Sequence, residues 1–233
     1  TQFKTVISGN SYTFTTTTAT TIFPISGLYY VNSLAIKEGT LLNNAYTADL
    51  SNPNQRFLIP NPNVDTSTVT VKVQNSASDS TLVTWADGNS LDVTTITSTQ
   101  KVYFIQEVEE QQYEIFFGDG AVGKQLADGN IIFIEYLSTG GVAANKASTF
   151  NASGLVAGQT SANYTLTTAV ASTGGAAIES MKSLKNNAPK LYQAQKRSTT
   201  KDDYKALLLQ ERPDIESLTV FGGEEASPPV YGK

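Results

Sequence analysis

The chain has 233 residues, with 16 Lys and Arg against 21 Asp and Glu, and it contains neither cysteine nor histidine. That length suffices for one large domain or two small ones. The lack of cysteine excludes disulfides, thiol catalysis and thiolate metal sites. The lack of histidine removes the commonest general base and the commonest zinc ligand. Composition therefore argues against an enzyme.

Charge and hydropathy argue against two further classes of partner, nucleic acids and membranes. The net charge of −5 argues against a nucleic-acid partner, and no apolar run approaches the ~20 residues of a membrane span. The basic excess lies between residues 176 and 212, where we interpret it as a solvated helical face. Because the chain starts at Thr1 rather than Met, we expect a processed product or a fragment of a longer protein.

The first part of the chain, residues 1–137, is predicted to be a β-rich domain. Short runs of β-branched and aromatic residues recur along it at the spacing of a sandwich or barrel, with clean alternation at 68–73. The other predicted strands lie at 5–7, 12–15, 20–23, 56–59 and 82–85.

Residues 101–108, 113–117 and 131–137 are predicted to form a three-strand antiparallel meander. Four carboxylates crowd near the hairpin that joins its first two strands, namely Glu107, Glu109, Glu110 and Glu114. They indicate either a cation site or, as we favour, a charged strand edge that resists sticking.

The most distinctive stretch, GDGAVGKQLADGN at 118–130, connects the last two of these strands. Its spacing partly matches two phosphate-binding loops, GxGxxG and GxxxxGK. Both need a helix after the last glycine, and the second Asp-Gly leaves no room for one. Gln125 also stands where the second loop has Ser or Thr. We therefore predict a structural turn in which Gly120 and Gly129 have positive φ.

Composition changes after this meander. Residues 138–175 are rich in Gly, Ser and Thr and predict an extended connector, with one possible strand at 163–167, that a partner surface or another subunit holds in place. Residues 176–233 predict a small helical α/β unit. The whole is expected to be an α+β protein, mainly antiparallel β in its N-terminal part.

Two helices and a strand are predicted in that last unit. Ile178, Met181, Leu184 and Ala188 recur at helical spacing, on a face that packs on its own sheet or on another chain, and Pro189 is expected to stop the helix. The second helix begins with a Thr200–Asp203 capping box. Tyr204, Leu207 and Leu208 are predicted to form its apolar face, and Pro213 is predicted to mark its end. Residues 217–221 are predicted to form a buried strand after it.

Two segments resemble a known family. Residues 116–141 resemble the FGDG-x-x-G-x-x-L-x-x-G-N pattern of phage baseplate wedge proteins. Residues 188–233 resemble a second hallmark of that family, an Arg-x-x-Thr-x-x-Asp-Tyr helix start, a strand, Gly-Gly-Glu and Pro-Pro-x-Tyr-Gly-Lys. The matching residues are Gly118, Asp119, Gly120, Gly123, Gly129 and Asn130, then Arg197, Thr200, Asp203, Tyr204, Gly222, Gly223, Glu224, Pro228, Pro229, Tyr231, Gly232 and Lys233.

The chain is thus similar to the C-terminal portion of gene-product-six-type wedge proteins of contractile-tailed bacteriophages, and more distantly to baseplate J-like proteins. The resemblance implies a structural subunit of the virion that self-associates, as a homodimer within a larger ring around the tail hub, together with other wedge and hub proteins. It implies no cofactor, no metal and no catalytic residue, and assembly in the host cytoplasm. In the family a strand follows the Tyr-Gly-Lys, so we expect the chain to be clipped there.

An alternative function remains at this point. The Thr-rich β half and its tyrosines also suit a carbohydrate-binding adhesin module of a tail or surface fibre. Reproducible sugar binding on a glycan array would favour that function.

Overall fold

The computed structural model describes residues 1–233 except 20, 22, 53, 157, 161, 162, 178, 196, 213, 214, 216 and 231–233. The chain divides into two compact units. One contains residues 1–140 and 150–167, and the other contains 141–149 and 168–233, so the stretch 138–175 is shared between them. Mostly antiparallel strands in the first unit and two helices in the second confirm the predicted α+β class.

A seven-stranded sheet forms the centre of the first unit. In sheet order its strands are β6 (Thr40–Thr47), β12 (Ile131–Ser138), β8 (Val64–Ser76), β9 (Asp79–Asp87), β10 (Val102–Glu107), β11 (Tyr113–Phe117) and β7 (Phe57–Ile59). Neighbours are antiparallel except β9 and β10, which make a short parallel pair at Val102↔Ala86 and Tyr103↔Asp87.

Two smaller sheets come from the start of the chain. The four strands of one are β13 (Asn151–Ala152), β1 (Gln2–Ile7), β2 (Asn10–Thr16) and β5 (Ile36–Glu38), in that order; the two of the other are β3 (Pro24–Ile25) and β4 (Leu28–Tyr29). Both hairpins turn through a Ser-Gly pair, Ser8-Gly9 and Ser26-Gly27, with positive φ at both residues. Two consecutive positive φ values define the tight turn whose twist matches the flanking strands.

The core lies against the middle of the large sheet. Along β12, Ile132, Ile134 and Tyr136 are buried, as alternation requires of one face of a strand. On the opposite face, Glu135 pairs with Lys72 of β8 at 2.5 Å. The outer strands β6 and β7 approach each other, since the rings of Tyr46 and Phe57 lie 5.5 Å apart. The sheet therefore curls around its core.

Most predicted strands are confirmed, but the three-strand meander is wrong. β10 and β11 pair as predicted, whereas β12 pairs with β6 and β8, and β11 has β7 as its other neighbour. The glycine-rich connection therefore crosses to a distant position in the sheet. β12 is apolar enough to lie between two long strands, and the loop before it is long enough to let it do so. β6 was not predicted, because most of its side chains are exposed and give no alternation.

The second unit holds two helices, α1 (Met181–Ala194) and α2 (Lys201–Glu211). The expectation that Pro189 stops the first helix is wrong: Pro189 lies inside α1, which ends where Gln195 adopts a left-handed conformation and donates its N–H to Leu191. Proline removes one helical hydrogen bond, and the turns on either side maintain the helix here. The face of α2 is also divided, since Leu207 is half-buried while Tyr204 and Leu208 are exposed.

Two further strand predictions are wrong. Described residues 217–221 form no strand, and residues 163–167 are not assigned to one either. A strand needs a partner, and an apolar run alone supplies none. Several predictions fall outside the described residues. They are the roles of Ile178, Pro213, Tyr231, Gly232 and Lys233, and part of the strand at 20–23. Within the described part of the chain, no helix is long and apolar enough to cross a membrane.

Candidate functional site

The loop at 118–130 is held first by its own aspartate. Asp119 Oδ1 accepts hydrogen bonds from the backbone N–H of Val122 at 3.0 Å and of Ala121 at 2.9 Å. These bonds favour the carboxylate and lower the pKa of Asp119. Gly120, with φ +89°, donates its N–H to the carbonyl of Gly123 at 3.1 Å. The positive φ predicted for Gly120 and Gly129 is confirmed.

Two glycines let the loop fold back onto itself. A Cβ on Gly118 would lie 2.4 Å from the carbonyl oxygen of Val122, and a Cβ on Gly123 would lie 2.7 Å from Val102 Cγ2. Gly123 and Lys124 then donate their N–H groups to the carbonyls of Thr97 and Gln100, at 3.2 and 2.7 Å. The loop is thereby fixed to the segment that precedes β10.

The end of the loop is fixed by a buried amide. Asn130 Oδ1 accepts the N–H of Ala127 and its Nδ2 donates to the carbonyl of Asn75, both at 2.8 Å. Gly129, with φ +74°, donates its N–H to the carbonyl of Ala48 at 3.0 Å. Asn130 therefore links the loop to β8, and Gly129 links it to the end of β6.

These bonds decide what the loop can do chemically. A phosphate-binding loop presents free backbone N–H groups to the anion at the start of a helix. Here every N–H from Gly120 to Lys124 is already given to a protein oxygen. Described residues 124–130 contain no helix. The geometry favours the structural turn over both nucleotide-binding alternatives.

The second group of candidate residues begins α2. Thr200 Oγ1 accepts the N–H of Asp203 at 3.2 Å, and Asp203 Oδ2 accepts the N–H of Thr200 at 2.8 Å, so the predicted capping box is confirmed. Asp203 Oδ2 also accepts the Thr199 hydroxyl at 2.7 Å. The Thr199 hydroxyl and then the backbone and hydroxyl of Thr200 lower the pKa of Asp203 to about 2.

The remaining candidates lie near chain turns of the same unit. Arg197 donates its N–H to the carbonyl of Ala194 at 2.7 Å, directly after α1. Gly222 precedes a 3₁₀ turn (Gly223–Glu225) that contains Glu224, and Gly223 accepts the N–H of Val230 at 2.8 Å. Sequence reasoning missed an ion pair between Lys201 and Glu225, which joins α2 to this turn. The spacing of those two residues gives no signal for it.

The crowded carboxylates do not form a metal site among the described residues. There, no group of three or more acidic side chains is arranged to hold a cation. Glu114 instead accepts from Arg56 at 3.2 Å and from Gln106 at 2.5 Å. Arg56 also stacks over the ring of Phe116, 4.2 Å from its centroid.

Helix α1 exposes several apolar side chains in the second unit. Met181, Leu184, Ala188 and Tyr192 share one side of the helix, at the i, i+3, i+7, i+11 spacing. Met181, Leu184 and Tyr192 are 66%, 41% and 81% exposed. We call these four residues the α1 stripe.

Comparison with known proteins finds a match to the middle part of the chain. Residues 45–151, from within β6 to the first residue of β13, match a family of bacteriophage tail baseplate components. The matching model is described as "Bacteriophage baseplate wedge protein gp6, third domain". The resemblance to gene-product-six-type wedge proteins, drawn from the pattern at 116–141, is thereby confirmed. In the comparison with curated proteins, no match is found.

Proposed function

We propose that this chain is a non-enzymatic structural subunit of a phage tail baseplate wedge, which self-associates and joins a ring around the tail hub with other wedge and hub proteins. It belongs in the virion and is assembled in the host cytoplasm. The observation that carries this proposal is the match of residues 45–151 to a baseplate wedge domain. Baseplate wedge proteins are structural components of phage tails.

The geometry of the candidate residues supports an architectural role. The side chains of Asp119 and Asn130 form hydrogen bonds with backbone groups, and Gly118 and Gly123 allow two parts of the chain to lie close together. In the other unit, Asp203 caps a helix. Each of these residues has a role in the fold, which supports an architectural function.

Self-association is the finer part of the proposal, and the α1 stripe supports it. The stripe is flanked by Lys182 and Lys185, which lie on the exposed surface of the same helix. An apolar strip with a polar rim is the usual composition of a protein interface. A homodimer that uses this helical region, together with the stretch 138–175, would cover apolar surface that is otherwise in water.

Analytical ultracentrifugation of the chain at tens of micromolar tests this interface. We expect the wild type to sediment as two chains or more, and Leu184→Ser/Tyr192→Ser to raise the dissociation constant at least tenfold. Lys190→Ser/Gln193→Ser changes the other exposed side of α1 and should leave the constant unchanged. A single-chain mass for the wild type, with rapid protease cleavage at 138–175, would contradict the proposed dimer.

A calorimetric titration addresses the enzymatic alternative. ATP or NAD at millimolar concentration should give no binding heat with the wild type or with Lys124→Ala. Tight binding that Lys124→Ala abolishes would contradict the non-enzymatic role.

A further inference from the structure

The β3–β4 hairpin presents an unusual surface. Ile25 lies opposite Leu28 in the register, so both are on one side of the hairpin. Phe23 directly precedes β3 and Tyr30 directly follows β4, and the same alternation, continued by one residue beyond each strand, puts them on that side. All four are exposed, at 78%, 65%, 58% and 56%. We call these four residues the hairpin face.

This hairpin lacks the support that such elements need. Within the described chain, the strand partner of β3 is β4, and these two strands form a sheet of their own. An isolated two-stranded hairpin is marginally stable in water, and it needs further packing on an apolar face. A tight turn at Ser26 and Gly27, with φ of 53° and 76°, nevertheless fixes its shape. The hairpin face is thus preformed and uncovered.

Charge narrows the nature of the missing partner. There is no charged side chain between Lys4 and Lys37, so the hairpin and its flanks are neutral throughout. Segments that bind membrane surfaces carry Lys or Arg for the lipid headgroups, and this one carries neither. A neutral apolar face fits another neutral apolar face, and a second copy supplies one without any repulsion between like charges at the contact.

The area of the face agrees with a second copy as the partner. Its four side chains expose on the order of 500 Å² per copy, since a large apolar side chain presents about 150–200 Å² in water. Two faces packed together would bury at most about 1,000 Å², which is the lower limit for a specific interface.

From these observations we propose that the hairpin faces of two copies pack against each other and form a second self-contact, separate from the α1 stripe. This inference rests on the proposed self-association of the chain. A protein with two different two-fold contacts joins into chains or closed rings, because each copy binds one neighbour through each contact. The hairpin contact would therefore supply the second link that a ring requires.

Sedimentation of the wild type and four variants tests the two contacts separately. We expect species larger than a dimer for the wild type, dimers for Phe23→Ser/Tyr30→Ser, dimers for Leu184→Ser/Tyr192→Ser, and monomers when all four changes are combined. Leu82→Ser/Val93→Ser removes exposed apolar side chains elsewhere in the first unit and should sediment as the wild type does. The replaced residues are exposed, so we expect all variants to fold, which circular dichroism checks.

The outcomes distinguish the inference from the proposed function. If the hairpin variant has the wild-type mass, the hairpin contact is wrong while the α1 contact stands. If the α1 variant has the wild-type mass and the hairpin variant is a monomer, the α1 contact is wrong and the hairpin contact stands. A monomeric wild type at every concentration overturns both.

Cross-linking gives a second readout in this cysteine-free chain. Ser26→Cys leaves the hairpin face intact and places a thiol at its turn. A bismaleimide of about 10 Å reach, the spacing of packed sheets, should link Ser26→Cys into a covalent dimer. Val93→Cys is the control and should stay a single chain. Equal cross-linking of both variants would contradict a contact at the hairpin.

Discussion

Single glycines in the 118–130 loop act through two different physical effects. At Gly118 the obstacle is steric, because a Cβ would lie 2.4 Å from backbone atoms that no rotamer can move. At Gly129 the space is open and only the positive φ of +74° opposes a side chain. The two positions therefore predict different costs for the same substitution.

We expect Gly118→Ala to lower the free energy of unfolding by about 3 kcal/mol or more, as overpacking against backbone does. Gly129→Ala should cost about 1 kcal/mol, the penalty of a left-handed conformation, and Val at Gly120 or Gly129 should cost more than about 1 kcal/mol. Urea unfolding measures all four. Equal costs for Gly118→Ala and Gly129→Ala would show that the close approach at Gly118 is wrong.

Asp203 predicts a pH dependence. Its pKa is about 2 in the folded chain against an ordinary 3.8, so the folded state favours the carboxylate. The stabilisation is complete above pH 4 and is lost as the pH falls from about 4 to about 2. Urea unfolding at several pH values should show this loss in the wild type and a flatter profile in Asp203→Asn.

Asp202→Asn is the matched control for that measurement. It removes a charge from the same first turn of α2 and leaves the capping box intact. We expect its profile to keep the acid loss. If Asp202→Asn and Asp203→Asn flatten the profile equally, the charge near the helix start explains the effect and the capping box does not.

At the scale of elements, α1 contains a residue that weakens it. Pro189 cannot donate the hydrogen bond that a helix interior uses, and it lies on the exposed side of α1. Pro189→Ala should therefore stabilise the second unit by about 1–3 kcal/mol and raise its helical content. Circular dichroism and thermal unfolding measure both. No gain in either would mean that α1 ends near Pro189, as the sequence predicts.

The elements also show where sequence reasoning works and where it stops. Alternation in 68–73 and the apolar run at 131–137 predict strands correctly, because each carries its own burial pattern. The capping box at Thr200 is a local signal and is equally readable. Pairing is different: nothing in β11 or β12 states which strands lie beside them, and the default of pairing sequential strands fails here.

The candidate site likewise contains features that the sequence predicts and features that it does not. The positive φ of Gly120 and Gly129 follows from the Asp-Gly pairs, which precede turns. The links from Gly123 to Thr97 and from Asn130 to Asn75 depend on the tertiary fold. No spacing in the sequence encodes them. The Ser-Gly pairs of the first two hairpins, by contrast, are turn signals that a sequence reading could have used.

At the scale of the whole molecule, the net charge opposes the self-association that the apolar contacts favour. Each chain carries a net charge of −5, so two copies repel at low ionic strength. Both proposed contacts are apolar, and the hairpin face lies in a segment without charge. At 0.1 M salt the repulsion is largely screened beyond about 10 Å, whereas apolar burial is maintained. Association should therefore tighten as salt increases.

We predict that the dissociation constant measured by sedimentation falls severalfold when NaCl rises from about 0.05 M to about 0.5 M, where the screening length becomes a few ångströms. The same tightening should appear in the hairpin variant and in the α1 variant, because each keeps one apolar contact. The variant that lacks both contacts should remain a monomer at either concentration, which excludes salting out. A contact made by ion pairs, such as lysines of α1 on an acidic surface of a second copy, would respond in the opposite direction. Severalfold weakening with salt would thus contradict the apolar self-contacts and point to charged side chains as the source of association.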